Sequence, residues 1–373
     1  MAEALREAAG KGQTIALAGN SSKRRMAGPV EDASCNLTTM SLRRVVVYEP
    51  RDLTISVDAG IGWQEFVHLL AENRQMVPLD PPFADSATVG GVIAANVSGP
   101  RRRLYGTARD LVIGMQFATL EGKVVQTGGM VVKNVAGLDI GKLMIGSFGT
   151  LAAITTVNFK VQPRPEVQRS FLLPFSSPSA AFAARDSILK SQVQPSAIDL
   201  LNPQAARGIG LTQWTLALAA GGGAAAVDRY EREFAQHADA RAFEGDDERA
   251  LWRHVEQYTP EFLAAHDDGT VVRVSCTLKE LEPVMASFPG AAIARAGSGV
   301  CYGYFDDLGR AAEWLAEAVR REWKAVIEYA SDQCRRTLDL WPSPGGNFEL
   351  MKRVKQLFDP SNLLNRGRLY RRI

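Results

Sequence analysis

The stretch TVGGVIAANVSGPRRRLYG, from Thr88 to Gly106, decides how the rest of this chain of 373 residues is interpreted. Its first half is short of side chains, because Gly90 and Gly91 follow Thr88 and Val89 directly. A backbone with so little covering lets its N–H groups approach a flat, charged ligand closely. Taken alone, the stretch equally suits a tight structural turn, so the motifs around it have to decide.

The second motif is LAGNSSKRRMAG, from Leu17 to Gly28, where a short apolar strand runs into a small polar loop. Backbone N–H groups and the hydroxyls of Ser21 and Ser22 would donate to a phosphate, and Lys23 would supply positive charge. The GxxxxGK[ST] pattern of a P-loop is absent. By itself this motif favours a surface loop slightly over a phosphate site.

One more motif is punctuated by glycines. It is VVKNVAGLDIGKLMIGSFGTLAAIT, which spans Val131–Thr155 and has Lys133 and Asn134 as its polar groups. Each could be turn chemistry alone. All of them together, in this order, favour a cofactor-binding domain.

The composition of the chain argues against some classes of function. The chain is 46% hydrophobic and 23% charged with a net charge of +2, which argues against nucleic-acid binding through bulk charge. No window approaches the roughly 20 apolar residues of a membrane helix, and the N-terminus lacks the apolar core of a signal peptide. We therefore expect a cytoplasmic protein without a transmembrane segment; the family resemblance described below implies that partners could place it at the inner membrane.

Cysteine and histidine spacing gives no metal site. The four cysteines form no CxxC pair and the four histidines form no HxH or HxxxH pair. Neither an iron–sulfur cluster nor a bound metal is therefore expected within this chain.

Periodicity predicts an α+β fold. A hairpin turning at Glu121-Gly122 and a strand over Thr150–Pro163 follow the glycine-rich stretch. Residues 167–345 show a β-α-β-β-α rhythm that recurs once, which suits helices on one face of an antiparallel sheet in a duplicated ferredoxin-like arrangement. Pro163 and Pro165 mark the boundary between the two regions.

These motifs resemble the vanillyl-alcohol-oxidase-type flavoproteins, which have an FAD-binding PCMH-type domain, and more narrowly the FAD-binding subunits of bacterial glycolate oxidases. The resemblance rests on TVGG (88–91), NVSGPRRRLYG (96–106), RDLVIG (109–114), VVKNVAGLD (131–139), GSFGTLAAIT (146–155) and FDPSNLLNRGR (358–368). It implies an FAD-binding PCMH-type domain of two subdomains over 1–165, an α+β cap or substrate domain over 166–345, and a C-terminal segment, 346–373, that returns to the FAD domain.

The resemblance also assigns residues to non-covalent FAD. Those implied at the pyrophosphate are Gly19, Asn20, Ser21, Ser22 and Lys23. Those implied along the pyrophosphate and flavin are Pro81, Thr88, Val89, Gly90 and Gly91. Those implied to pack against the cofactor or line its ends are Ala94, Ser98, Gly99, Gly106, Val112 and Ile154, with Asn365 reaching the flavin. No histidine or cysteine lies in Gly19–Gly28, so we expect no covalent link from that loop.

The catalytic residues stay unknown at this stage. Relatives that oxidise 2-hydroxy acids carry a metal-binding histidine cluster, whereas this chain offers only His237, His254 and His266 without the matching motifs. Arg101–Arg103 suit a substrate carboxylate no better than a solvated or phosphate-facing patch.

The resemblance therefore implies an FAD-dependent oxidoreductase acting on CH–OH groups. We expect it to serve as a subunit of a glycolate oxidase complex, beside a catalytic flavoprotein and an iron–sulfur subunit. The alternatives are a stand-alone FAD enzyme for another small alcohol or hydroxy acid, and a non-catalytic protein that kept the flavin fold.

Overall fold

The protein folds as two compact units in the computed structural model, which describes residues 1–131, 139–237, 239–341 and 344–373. The first unit comprises Met1–Ser98, Thr107–Arg164 and Arg335–Ile373, and the second comprises Gly99–Gly106 and Pro165–Cys334. The domain bounds 1–165, 166–345 and 346–373 stay a prediction. The main difference between these predicted bounds and the two units is that the eight residues of Gly99–Gly106 fold with the second unit.

Short strands and helices alternate in the first unit. Its strands are β1 (Ile15–Ala18), β2 (Cys35–Thr38), β3 (Val45–Glu49), β4 (Thr54–Asp58), β5 (Gln75–Met76), β6 (Val112–Ala118), β7 (Val124–Gly128), β8 (Ala153–Lys160) and β9 (Gln162–Pro163). Its helices are α1 (Ala2–Gly10), α2 (Trp63–Glu72), α3 (Val89–Ala95), α5 (Ala108–Leu111), α6 (Gly141–Met144) and α14 (Phe348–Phe358), while α4 (Arg102–Tyr105) belongs to the second unit.

Among the described residues, five strands form the main sheet of this unit in the order β3-β4-β8-β6-β7, and β1 pairs in parallel with β2. The hairpin predicted around Glu121-Gly122 is confirmed as β6 and β7. Every residue of β4 is buried. The strand lies between β3 and β8, and both of its faces are covered.

The second unit is built around a larger sheet. Its strands are β10 (Val167–Phe175), β11 (Ala197–Leu201), β12 (Trp214–Gly222), β13 (Arg241–Phe243), β14 (Thr270–Ser275), β15 (Ala292–Arg295), β16 (Val300–Phe305) and β17 (Lys324–Tyr329). Its longer helices are α7 (Pro178–Lys190), α9 (Ala224–Phe234), α10 (Gly245–Ala265), α11 (Leu281–Ser287) and α12 (Leu308–Arg320), with short turns at α8 (Pro203–Ala206) and α13 (Asp332–Thr337), the last of which crosses the unit boundary.

The predicted duplication is confirmed by strand pairing. In the described residues the sheet runs β13-β10-β12-β11-β15-β16-β14-β17 and every neighbouring pair is antiparallel. The first half has the element order β-α-β-β-α-β, and its fourth strand lies beside its first. The second half has the same element order, but its strands are arranged across the sheet in the opposite direction. The second strands of the two halves, β11 and β15, pair to join them into one sheet.

The prediction that helices cover only one face is wrong, because α10 packs on the opposite face. Phe171 on β10 stacks edge-on against Phe234 of α9, with ring centroids 5.0 Å apart. Its neighbour Ser170 must face the other way in an extended strand. There the Ser170 hydroxyl donates to Glu248 of α10 at 2.9 Å and accepts from the Trp252 indole at 2.7 Å.

In the residues described, none of the helices is both long enough and apolar enough to cross a bilayer.

Candidate cofactor-binding site

The loop after β1 presents a run of unused backbone donors. In the structure as described, the amides of Asn20, Ser21, Ser22 and Lys23 donate to no backbone or side-chain acceptor. Ser21 has φ +53°, a left-handed conformation, inside this run. Consecutive N–H groups in such a turn form a concave anion-binding nest. This geometry is consistent with the phosphate cradle predicted from LAGNSSK, which stays a prediction.

Lys23 is the cation of this nest. Its side chain is buried, with the residue only 8% exposed, and Nζ lies 3.4 Å from the Ser22 hydroxyl. Among the described residues no carboxylate pairs with it. Burial lowers the pKa of Lys23 to about 7. An uncompensated buried ammonium is costly unless a ligand supplies the counter-charge.

Gly19 brings the first two motifs together. A Cβ at Gly19 would overlap the Thr88 hydroxyl oxygen, so the loop backbone and the start of α3 lie in direct contact. Thr88 is the N-cap of α3, and its Oγ1 accepts from the Gly91 amide at 3.2 Å. Asn20 fixes the far side of the loop by donating from Nδ2 to the Ser86 carbonyl at 2.9 Å.

The TVGG residues contribute close packing instead of free donors. The Val89 amide donates to the Ile61 carbonyl at 2.9 Å and the Gly90 amide to the Ala59 carbonyl at 2.7 Å. A Cβ on Gly90 would lie 2.7 Å from the Ala59 Cβ. The sequence argument for Gly90 as a backbone donor to the ligand is thus replaced by a packing argument: the glycine lets α3 press against the end of β4.

Backbone strain surrounds Pro81, which sequence patterns did not reveal. Asp80 and Phe83 have φ values of +46° and +60°, although neither is glycine. Pro81 itself is buried. Left-handed non-glycine residues cost roughly 1–3 kcal/mol each and concentrate at functional sites. This loop is therefore consistent with the predicted position of Pro81 beside a ligand.

Asn365 joins the C-terminal segment to the same region. Its Nδ2 donates to the carbonyls of Leu17 at 2.9 Å and Phe148 at 2.8 Å, and its Oδ1 accepts from the Leu17 amide at 2.7 Å. Both of its side-chain N–H donors are therefore used to hold β1 and the GSFGT turn in place. By holding these two segments, Asn365 positions the loop that begins at Gly19.

The remaining predicted residues fall in several places. Ala94 lies in α3, where its carbonyl accepts from the Phe148 amide at 2.9 Å, and Ser98 is buried. Val112 and Ile154 are buried in the five-stranded sheet. Gly99 and Gly106 belong to the second unit. Residues 132–138, with Lys133, Asn134 and Gly137, lie outside the described residues.

The C-terminal segment contains a buried ion pair that sequence patterns did not predict. The Lys355 ammonium donates to Asp359 Oδ2 at 2.7 Å and to the carbonyls of Thr150 and Leu364 at 2.8 Å each. Asp359 in turn accepts from the amides of Leu363 at 2.9 Å and Leu364 at 2.7 Å. The only sequence signal is their spacing of four residues at the end of α14.

The histidines have packing roles in the second unit. A Cβ at Gly208 would overlap the ring of His254, and His266 Nδ1 lies 2.9 Å from the Phe262 carbonyl. The ring centroid of His237 is 5.9 Å from that of Phe175. All three are partly buried.

The donors and the positive charge of this loop match the chemistry of a dinucleotide pyrophosphate. Such a group carries two negative charges and several acceptor oxygens. Among the residues that the structure describes, the loop offers four amides without acceptors beside one ammonium without a counter-ion. We propose that residues 19–23 hold the pyrophosphate of FAD, while Gly90 and Asn365 keep α3 and β1 at the spacing the loop needs.

Substituting Gly19 tests this contact. In Gly19→Ala the new methyl group would overlap the Thr88 hydroxyl, so we expect a stability loss of about 1–3 kcal/mol, as for other overpacked sites. Thermal unfolding and the flavin-to-protein absorbance ratio would measure the two effects. Gly10→Ala is the control, because a Cβ there meets nothing within 4 Å. Equal behaviour of the two variants would contradict the assigned contact.

Comparison with known proteins agrees with this geometry. The "FAD binding domain" family matches residues 1–128, and the "FAD linked oxidases, C-terminal domain" family matches residues 344–369. "Glycolate oxidase subunit GlcE" of Escherichia coli is 29% identical over 95% of this chain and 92% of its own length. A mitochondrial "D-lactate dehydrogenase [cytochrome]" of Arabidopsis thaliana is 35% identical, over 46% of this chain and 30% of its own.

Solved structures share the fold. An alkyldihydroxyacetonephosphate synthase superposes with a TM-score of 0.70 at 18% identity, covering 98% of this chain and 73% of that one. A 4-ethylphenol oxidase from Gulosibacter chungangensis gives 0.71 at 14% identity, covering 98% and 86%. The two family matches flank the second unit and include both the donor loop at Gly19–Lys23 and the segment of Asn365. The chain therefore resembles the FAD-linked oxidases in both matched segments, and it is an α+β FAD-dependent oxidoreductase whose cofactor is FAD.

Proposed function

We propose that this chain is the FAD-binding subunit of a glycolate oxidase complex, in which its flavin accepts or relays electrons released when glycolate is oxidised to glyoxylate. The observation that carries the proposal is the end-to-end similarity to the E. coli subunit, which spans both units of this chain. "Glycolate oxidase subunit GlcD" of Bacillus subtilis matches over 43% of the chain and 34% of its own length.

The chemistry divides between cofactor and protein. Bound FAD would supply a two-electron acceptor for the hydride of a CH–OH group. The protein would hold its pyrophosphate at residues 19–23, as the unused amides there support. The names of the relatives, which are subunits of glycolate oxidases, support a division of the reaction between chains. We assign the step that oxidises glycolate to a partner flavoprotein, with an iron–sulfur subunit as the further electron carrier.

The function can be tested by following the flavin spectrum anaerobically. Glycolate alone should leave the flavin band of the purified chain in place, while dithionite bleaches it. Adding a GlcD-type subunit at about one-twentieth of the chain's concentration should then let glycolate bleach the band. The bleaching should exceed the partner's own flavin content, because electrons pass to this chain.

Two results would contradict the proposal. If the band persists with glycolate and partner present, the chain takes no electrons from that reaction. If glycolate or D-lactate bleaches the isolated chain, it is a stand-alone enzyme. The match to D-lactate dehydrogenases makes D-lactate the substrate to try beside glycolate.

A further inference from the structure

The last helix of the first unit, α14, buries one face and exposes apolar side chains on the other. Phe348 and Lys355 are buried against the unit. On the outer side Leu350 is 63% exposed, and Leu357, at 81%, is the most exposed large apolar side chain of the described residues. Single exposed leucines are common on protein surfaces, so what distinguishes this helix is how the two are arranged.

The exposed apolar residues of α14 have the spacing of a coiled-coil seam. Leu350, Val354 and Leu357 follow one another at intervals of four and three residues, as d, a and d positions do, so they form one line along the helix. At 1.5 Å per residue this leucine stripe is about 10 Å long. It matches the part of a helix that packs against one facing helix.

Arg353 borders the leucine stripe at a position that coiled coils use for a charge facing the partner. Its side chain is exposed, and it forms no ion pair or hydrogen bond with the described residues. Its neighbour Lys352, in contrast, is paired with Glu349 at 2.6 Å. Arg353 is therefore available to pair with an acidic residue that a facing helix would present.

The charge of the C-terminal segment limits what can cover the stripe. Residues 335–373 carry nine Lys and Arg against three Asp and Glu, a net charge of +6, whereas the rest of the chain carries −4. Two copies of the chain paired through the stripe would bring two such segments together, and like charges across an interface oppose association. An acidic occupant is therefore favoured over a second copy.

A membrane surface fits this helix less well than a helix does. Helices that lie in a membrane interface present a broad apolar face. On α14 the exposed side chains of Glu349, Arg353 and Gln356 lie beside the leucine stripe, which leaves the apolar line narrow.

The helix is already held in place for docking. Lys355, in the middle turn of α14, donates to Asp359 at 2.7 Å and to the carbonyls of Thr150 and Leu364 at 2.8 Å each. A partner would therefore meet an ordered helix, and preorganisation of this kind lowers the entropy lost on binding.

We propose that the leucine stripe and Arg353 dock an amphipathic helix of the partner flavoprotein, with an acidic residue of that helix beside Arg353. The apolar line would exclude water, and the ion pair would fix register and partner choice. The identity of the partner rests on the proposed function, whereas the docking surface rests on α14 itself.

The affinity of the FAD-loaded full chain for a purified GlcD-type subunit, measured by biolayer interferometry, tests the surface. Leu350→Ala and Leu357→Ala should each weaken binding about tenfold and the double variant about 100-fold, as apolar residues at the centre of an interface do. Arg353→Glu should weaken it about tenfold, because a carboxylate would then face the acidic residue of the partner. Alanine favours helix, so the leucine variants keep α14 folded.

The chain offers a matched control for each type of change. Val319→Ala removes an apolar side chain that is 72% exposed on α12 of the second unit. Arg310→Glu reverses a charge that is exposed and paired with Asp306. Both should change the affinity less than about twofold, as residues outside an interface do.

Three results would overturn the docking surface. They are wild-type protein that does not bind the subunit at about 100 μM, a double leucine variant that binds as tightly as Val319→Ala, and Arg353→Glu that binds as tightly as Arg310→Glu. Phosphatidylglycerol vesicles that bind the wild type but not the double variant, with affinity for the subunit unchanged, would assign the stripe to a membrane. A dimer of the chain that the double variant abolishes, again with that affinity unchanged, would assign it to a second copy.

The two proposals can fail separately. If the chain binds the subunit through the leucine stripe, yet glycolate delivers no electrons to its flavin, only the proposed function fails. If electrons pass from glycolate and the double variant binds the subunit normally, only the docking surface fails.

Discussion

Lys23→Met is expected to weaken FAD binding about 10- to 100-fold. The ammonium is buried among backbone donors and pairs with no carboxylate of the described residues, and we propose that the pyrophosphate of FAD is its counter-ion. Charge-assisted hydrogen bonds contribute about 1.5–3 kcal/mol, which corresponds to that loss of affinity. Titration of the flavin-free protein with FAD, followed by flavin fluorescence, measures the dissociation constant directly.

The pH dependence of FAD affinity distinguishes a direct contribution of Lys23 from a general effect of net charge. With a pKa of about 7, Lys23 is increasingly neutral in the flavin-free protein above neutrality. Binding a dianion above that pH must then take up a proton, so affinity should fall by up to about tenfold per pH unit between pH 7 and 9. In Lys23→Met this slope should disappear.

The same lysine should destabilise the protein when FAD is absent. Its pKa is lower in the folded protein than in the unfolded chain, so the unfolded chain binds more protons between pH 7 and 10. The free energy of unfolding therefore rises with pH across that window. Lys23→Met should raise it at pH 7–8 by on the order of 1–3 kcal/mol, measured by urea unfolding of the flavin-free protein.

Arg24→Met is the matched control for both measurements. Arg24 follows Lys23 in the same loop, but its side chain is exposed. If Arg24→Met and Lys23→Met change FAD affinity and its pH slope equally, the effect is one of net charge. The assignment of Lys23 to the pyrophosphate would then be wrong.

Local patterns of apolar residues in the sequence predicted most of the fold. The β-α-β-β-α rhythm after Val167 predicted both halves of the duplicated sheet, because each element is set by a short run of alternating or helical apolar positions. Helix α10 was missed, since its 21 residues include three acids in the first turn and Pro260 in the interior, and its apolar positions are widely spaced. Its packing against Ser170 and Tyr304 depends on tertiary context that no window of sequence contains.

The candidate cofactor site shows how far sequence could reach. The loop at Gly19–Lys23 is contiguous, so its residue types alone indicated a phosphate cradle, although burial of Lys23 required the structure. The buried ion pair of Asp199 and Arg295 could not be predicted, because only the register of β11 against β15 makes these two residues neighbours.

Asp359→Asn is expected to cost about 3–5 kcal/mol of unfolding free energy, the usual result of removing one partner of a buried ion pair. Asp359 is 1% exposed and Lys355 is 5% exposed, so water cannot replace the lost carboxylate. The ammonium would keep only the carbonyls of Thr150 and Leu364 as partners. Asparagine can still accept one of the two amides that Asp359 holds, but it cannot balance the charge.

The loss should extend to the cofactor, because Leu364 immediately precedes Asn365, which holds β1 through the backbone of Leu17. We expect Asp359→Asn to lower both the midpoint of chemical unfolding and the amount of FAD retained after purification. Lys352→Met provides the control, since Lys352 lies on the same helix in an exposed pair with Glu349 and should cost less than about 1 kcal/mol.

A double-mutant cycle isolates the pair. If Lys355 and Asp359 stabilise each other as a buried pair, Lys355→Met combined with Asp359→Leu should be more stable than either single variant, because the double change leaves no unpaired buried charge. Single variants that cost no more than Lys352→Met, or a double variant whose cost equals the sum of the two single costs, would show that the pair does not hold the C-terminal segment on the FAD-binding unit.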